Sequence, residues 1–165
     1  MATGLPSFIF VRHAETEWNK LGLTMGRQNI PASESGICAA RATTIGFSHK
    51  LPWIVTSSLV RARDTASVFS DGSVSIIVSD SWIERDWGPF EGQPKAYRPN
   101  DRDPPGTEPW SDFVERIEIG IKSLPSSDLG MVVSHSGVFK ALMEIGYHPE
   151  FELAKVPHAT PIILT

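Results

Sequence analysis

Short apolar runs, each ending on a polar or charged residue, punctuate the chain. Phe8-Ile9-Phe10-Val11 runs into Arg12-His13, and Trp53-Ile54-Val55-Thr56 into Ser57-Ser58. Val74–Ser79 leads into Asp80-Ser81, and Gly130-Met131-Val132-Val133-Ser134 into His135-Ser136. Apolar runs without alternation mark strands buried on both faces, as in a parallel sheet. Helical stretches separate them. Ser33 has the hydroxyl of an N-cap and precedes a helix over Glu34–Ser48. A second helix opens within Ser57–Ala66. Trp110, Phe113, Val114, Ile117 and Ile121 fall on one face of a third, and Val138–Tyr147 forms a fourth. Lys20–Pro31, broken by Gly22, Gly26 and Pro31, reads as a loop, and so does the Pro-, Arg- and Asp-rich Gln93–Pro105, placed over the site. With a last strand within Val156–Leu164 the order is β-α-β-α-β-loop-α-β-α-β. That order predicts an α/β fold with a mostly parallel sheet and helices on both faces. It leaves the strand order open.

Composition narrows the picture. The 165 residues, 41% hydrophobic, suit one domain spanning 1–165 with a sizeable core. The formal net charge of −4 argues against a nucleic-acid or membrane-surface partner. An acidic protein that binds an anion must also concentrate its cations locally. Cys38, the single cysteine, allows no internal disulfide and suits a reducing compartment. Its Ala-rich helical surroundings predict a small buried hydrophobe. There is no basic segment followed by an apolar core near the N-terminus, and no apolar run near the ~18–20 residues of a membrane helix. A cytoplasmic protein is expected. The five histidines show no tight metal-ligand spacing, so no metal site is expected.

In open α/β sheets ligands sit at the carboxyl ends of the strands. There this sequence places Arg12 and His13, then Glu84, then His135. Arg61 falls in the first turn of a helix, whose free amides attract anions and whose guanidinium can fork two phosphate oxygens. Two guanidiniums and two imidazoles can converge on one tetrahedral dianion, with Asn19 adding a hydrogen bond. Glu84, walled by Trp82, Trp87 and Phe90, has the chemistry to protonate a leaving alkoxide. Taken singly, each has a plainer reading: a surface salt bridge for Arg61 or Glu84, a structural histidine for His135. Arg85, Lys95, Arg98 and Arg102 either recognise a second acidic group or merely solvate the loop.

The motifs settle between these readings. Arg12-His13-Ala14-Glu15-Thr16-x-Trp18-Asn19 resembles the RHG signature of the histidine phosphatase superfamily (branch 1), which includes the cofactor-dependent phosphoglycerate mutases; Ala14 replaces the usual Gly. Ser57-Ser58-x-x-Arg61-Ala62-x-x-Thr65-Ala66 is similar to the family's second motif. Glu84 through Gly92 resembles its L-x-E-x-x-x-G-x-x-E-G stretch, with Trp82 in place of Leu. Glu108, Phe113 and Arg116 match a further element in which Pro109 replaces Ser. Val132-Val133-Ser134-His135-Ser136-Gly137 resembles the second histidine motif, and in the tail His158 stands where Asn is common.

The resemblance implies a three-layer α/β/α sandwich, His13 as nucleophile, Glu84 as proton donor and Glu91 as a structural carboxylate. It implies phosphate binding by Arg12, Arg61, His135 and Asn19, and no cofactor. Arg27, Asn29 and Ser136 are candidates for contacts to the rest of the substrate. About forty residues separate Gly92 from His135, a reduced cap that favours a metal-independent phosphatase acting on small phosphate monoesters over a mutase. A protein-phosphohistidine phosphatase is disfavoured by Glu84. The alternatives are a phosphoglycerate mutase-like phosphotransferase and a non-catalytic phosphate- or phosphopeptide-binding module. Either a monomer or a homodimer is compatible with the sequence.

Overall fold

Five strands form the sheet of the computed structural model, which describes residues 4–125 and 128–165: β1 (Phe8–Arg12), β2 (Ile54–Thr56), β3 (Ile76–Val78), β4 (Met131–Ser134) and β5 (Ile162–Leu164). Their order is β3-β2-β4-β1-β5. β1, β4, β2 and β3 run parallel, and only β5 is antiparallel to its neighbour β1. The helices are a single turn, α1 (Glu17–Lys20), then α2 (Glu34–Ile45), α3 (Val60–Ser70), α4 (Trp110–Lys122) and α5 (Ser136–Ile145).

The period-two geometry of strands sorts the apolar residues into two layers. Phe8, Phe10, Val55 and Val132 face Phe113, Ile117 and Ile121 of α4 and Val138 and Leu142 of α5. Ile9, Val11, Ile54, Met131 and Val133 face Ala62, Ala66 and Phe69 of α3. The result is the mostly parallel sheet with helices on both faces predicted from the pattern, and the α/β/α sandwich implied by the resemblance. Each fully buried Ile, Leu, Val or Phe stabilises the fold by roughly 1.5–3 kcal/mol. These layers offset the several kcal/mol that each buried cation at the strand ends costs.

Two local expectations meet corrections. β3 lies at the sheet edge, so Ile77 and Val78 are exposed rather than buried. Cys38 is also exposed. The buried face of α2 is set by Gly36 and Ala40, one turn apart, and Cys38 lies two residues, or about 200°, around the helix from Gly36. Ser33 does cap α2, its Oγ accepting from the Gly36 amide at 3.0 Å. The helix stops at Gly46, earlier than Ser48. Among the described residues no helix is long and apolar enough to cross a membrane.

Candidate active site

The strand order places the ends of β1, β4 and β2 side by side, and a cavity of about 610 Å³ opens at their carboxyl edge. Arg12 and His13 leave β1 into its floor. The Arg12 Nη1 donates to the Val156 carbonyl at 3.0 Å. The His13 Nδ1 lies 2.7 Å from the Ala14 carbonyl. A carbonyl can only accept, so Nδ1 carries the proton and Nε2 the lone pair. Burial, and then the charge of Arg61, pushes the His13 imidazole well below its ordinary value. It is therefore neutral at physiological pH. Ala14 is itself fixed, its amide donating to Thr65 Oγ1 at 2.7 Å while Thr65 donates to the Arg61 carbonyl.

Arg61 is fully buried, and its guanidinium is tethered by the loop before α2. Nη1 donates to the Gln28 carbonyl and Nη2 to the Gly26 carbonyl, each at 2.7 Å. Glu91 holds that loop in turn. Its Oε1 accepts from the Arg27 amide at 2.8 Å and its Oε2 from Gln28 Nε2 at 3.1 Å. Desolvation brings Arg61 down to about 10, against the pull of Glu84 and Glu91, so it remains charged at neutral pH. The expected offer of free α3 amides is corrected. The Val60 amide donates to Asn29 Oδ1 and the Leu59 amide to Ser57 Oγ, so two of the amides expected to be free are taken.

His135 ends β4 fully buried, its ring centroid 5.2 Å from that of His13. Its Nε2 lies 2.8 Å from Ser57 Oγ. Ser57 Oγ also accepts from the Leu59 amide; with a second lone pair and its own hydrogen it suits either tautomer of His135, whose other nitrogen is Nδ1. That Nδ1, like Arg12 Nε and Arg61 Nε, is buried without a partner in the protein. Buried polar atoms without a partner are rare; Arg12 and Arg61 line the cavity, and His135 does not. Burial and Arg61 also keep His135 neutral.

Glu84 is nine-tenths buried on the opposite wall. Its Oε1 accepts from the Arg85 amide at 2.9 Å and its Oε2 from the Gly137 amide at 3.1 Å. Of the three aromatic residues expected around it, only Trp87 lines the cavity. Trp82 is turned into the core against Phe8, where its volume fills the layer under α4.

Asn19 and Ser136 line the cavity; Arg27 and Asn29 do not. Asn19 Oδ1 accepts from the Thr16 amide in a capping box, which does not use the NH₂ end. Arg27 pairs with Glu108 at 3.1 Å and lies 3.8 Å from Asp86, and Asn29 is spent on capping α3. His158 is a residue of the site that the sequence does not single out. Its Nδ1 donates to the His13 carbonyl at 2.8 Å and its ring stands edge-on to that of His13. Its place in the tail motif is the available signal, but contact with His13 depends on β5 pairing beside β1.

Buried guanidiniums and neutral imidazoles thus meet at the carboxyl edge of a parallel sheet, where α/β proteins place their ligand sites. The chain belongs to the histidine phosphatase superfamily (branch 1), whose family model matches residues 8–159. It is 31% identical over 161 residues to the protein named "Uncharacterized phosphatase PhoE" of Bacillus subtilis (strain 168), covering 90% of this chain and 82% of that one. It is 29% identical over 149 residues to "Probable phosphoglycerate mutase GpmB" of Klebsiella pneumoniae (strain 342), covering 76% and 67%. The solved phosphoglycerate mutase of Thermus thermophilus superposes with a TM-score of 0.78 at 27% identity, over 95% of this chain and 91% of that one.

Proposed function

We propose that this protein is a metal-independent phosphatase that hydrolyses phosphate monoesters through a phosphohistidine on His13. The observation that carries the proposal is the state of His13: neutral, its proton fixed on Nδ1 by Ala14, which leaves the lone pair on Nε2, in a cavity that Arg12 and Arg61 also line. The guanidiniums neutralise the phosphoryl dianion, the task a metal would otherwise perform. Nε2 attacks phosphorus as the P–O bond to the leaving group breaks, and Glu84 in its acid form gives that oxygen a proton. The charge spreading over the equatorial oxygens is met by both arginines and by His135 in its Nδ1–H tautomer. Glu84, now a carboxylate, then takes a proton from the water that attacks phosphorus. The P–N bond breaks, His13 returns to its neutral form and phosphate leaves.

Among the described residues between Gly92 and His135, the 93–105 loop and Trp110 of α4 line the cavity, a small cover that supports water, rather than a second sugar or acid hydroxyl, as the acceptor. Phosphate release from p-nitrophenyl phosphate in the presence of EDTA tests this, with His13→Ala as control. Turnover that survives EDTA and falls more than about 10³-fold in the variant is expected, together with an acid-labile phosphoenzyme in the wild type alone. Acid-labile phosphate on His13→Ala would overturn the assignment of the nucleophile. Isomerisation of 3-phosphoglycerate without phosphate release would favour the mutase reading, and vanadate binding without any turnover a binding module.

A further inference from the structure

The cavity holds more positive charge than a phosphoryl group uses. Among the described residues lining it, eight Arg and Lys side chains face three carboxylates, in a chain of net charge −4. Arg12 and Arg61 serve the phosphoryl site. Arg85 and Arg102 are already paired, with Asp103 at 2.8 Å and Glu144 at 2.7 Å. Of the rest, Lys140 stands one turn from Glu144 on α5, a carboxylate taken by Arg102 and Trp110, and forms no ion pair among the described residues. Lys95, Arg98 and Lys155 line the cavity and form no ion pair among the described residues. Lys95 lies close enough to feel the other two: burial first, then Arg12, Arg98 and Lys155, lower it, against the pull of Glu84. Asp101 also lines the cavity, and its Oδ1 accepts from the Asp103 amide.

Arg98 is placed by a run of alternating cations and aromatic rings. Its guanidinium lies 4.6 Å from the Trp87 ring centre. Trp87 also carries Arg85 at 5.1 Å, Arg85 lies 5.5 Å from Trp110, and Trp110 carries Arg102 at 5.4 Å. The run ends on α5, where Glu144 accepts from both Trp110 Nε1 and Arg102. It fastens the 93–105 loop to α4 and α5, so Arg98 meets a ligand with little ordering left to do.

Resting on the phosphatase reading, we propose that the substrates of this protein carry a second anionic group, a carboxylate or a second phosphate. It is bound by Arg98 with Lys95 and Lys155, on the scaffold of the Trp87–Arg85–Trp110–Arg102 stack. A singly phosphorylated neutral alcohol leaves those three cations facing one another.

Matched esters test the inference: 3-phosphoglycerate against glycerol 3-phosphate, and propane-1,3-diyl bisphosphate against 3-hydroxypropyl phosphate. The wild type is expected to prefer the doubly anionic member of at least one pair by about tenfold or more in kcat/KM, and the pair that shows the preference identifies the group. Arg98→Gln should bring that ratio towards about 1, in a protein shown by its melting curve to be folded. Equal kcat/KM within both pairs, or a ratio that Arg98→Gln leaves intact, overturns the proposal while the phosphatase reading stands. If no ester is hydrolysed the phosphatase reading fails, and the pairs are compared as ligands by calorimetry. Tighter binding of a doubly anionic member then upholds the second-anion site, and equal affinities within both pairs overturn it.

Discussion

Main-chain groups hold the side chains that meet the cavity: the Ala14 carbonyl orients His13, the Gly26 and Gln28 carbonyls orient Arg61, and the Arg85 and Gly137 amides orient Glu84. Glu84→Gln keeps the shape of the acid but cannot move a proton. Phosphate release from an alkyl ester should fall by about 10²–10³-fold. Release from p-nitrophenyl phosphate, whose leaving group is stable as an anion, should fall much less. Equal losses on both esters would remove Glu84 from the role of general acid. Gly137→Ala reaches the same group from behind. A Cβ there would run into Glu84 Oε1, the end of a flexible side chain. Ala otherwise favours the helix by about 1 kcal/mol over Gly. The variant should therefore keep its melting temperature while losing alkyl-ester activity, and a large drop in melting temperature would show that the backbone, not the carboxylate, gave way. The residues of this site were legible because each ends a strand or opens a helix within a short motif. Asn29, Arg27 and His158 were not, since a hydrogen bond to Val60, Glu108 or His13 spans many residues of chain.

At the scale of elements, Glu108 is a junction. It accepts from Arg116 of α4 through both oxygens, each at 3.0 Å, from Arg27 at 3.1 Å and from the Asp86 amide at 3.2 Å. Arg116 also donates to the carbonyls of Ser81 and Ile83, each at 3.0 Å. The pair thus ties α4 to the segment that presents Glu84. Glu108→Ala leaves Arg116 half-buried and short of its partner, and should cost about 2–4 kcal/mol in denaturant unfolding. A change below about 0.5 kcal/mol would mean that the network does not hold the segment. Helix faces were readable: Phe113, Ile117 and Ile121 recur at helical spacing and are buried. The fate of α3's first turn was not, because a cap supplied by Asn29 from another segment takes the amide that the local pattern leaves open. Trp82 likewise reads as an apolar wall for Glu84 until the packing of α4 draws it inward.

Across the whole molecule, neutral His13 has two neutral histidines beside it, His135 at 5.2 Å and His158 at 5.5 Å between ring centres. His13 and His135 lie well below the ordinary imidazole value through burial and Arg61, and His158 is held at about 4, chiefly by burial. In the unfolded chain these rings titrate near 6.5. Their folded values are lower, so below pH ~6.5 the unfolded state binds more protons and stability falls with pH. The melting temperature should hold above pH 7 and drop between about pH 6.5 and 4, less steeply in His158→Asn. A profile flat from pH 7 to 4.5 would contradict neutral burial of these rings. Inorganic phosphate should raise the melting temperature by occupying the folded state alone. By itself the sequence determined the strands, the helix faces and the polar residue at each strand's end, because these follow from backbone periodicity and from side-chain chemistry over a few residues. The tertiary structure decided which ends meet. Pairing β4 between β1 and β2 brings His135 beside His13 and onto Ser57, and the antiparallel β5 returns the tail so that Val156 and His158 support Arg12 and His13 across 144 and 145 residues of chain. Such contacts depend on sheet order and register, which no local pattern encodes.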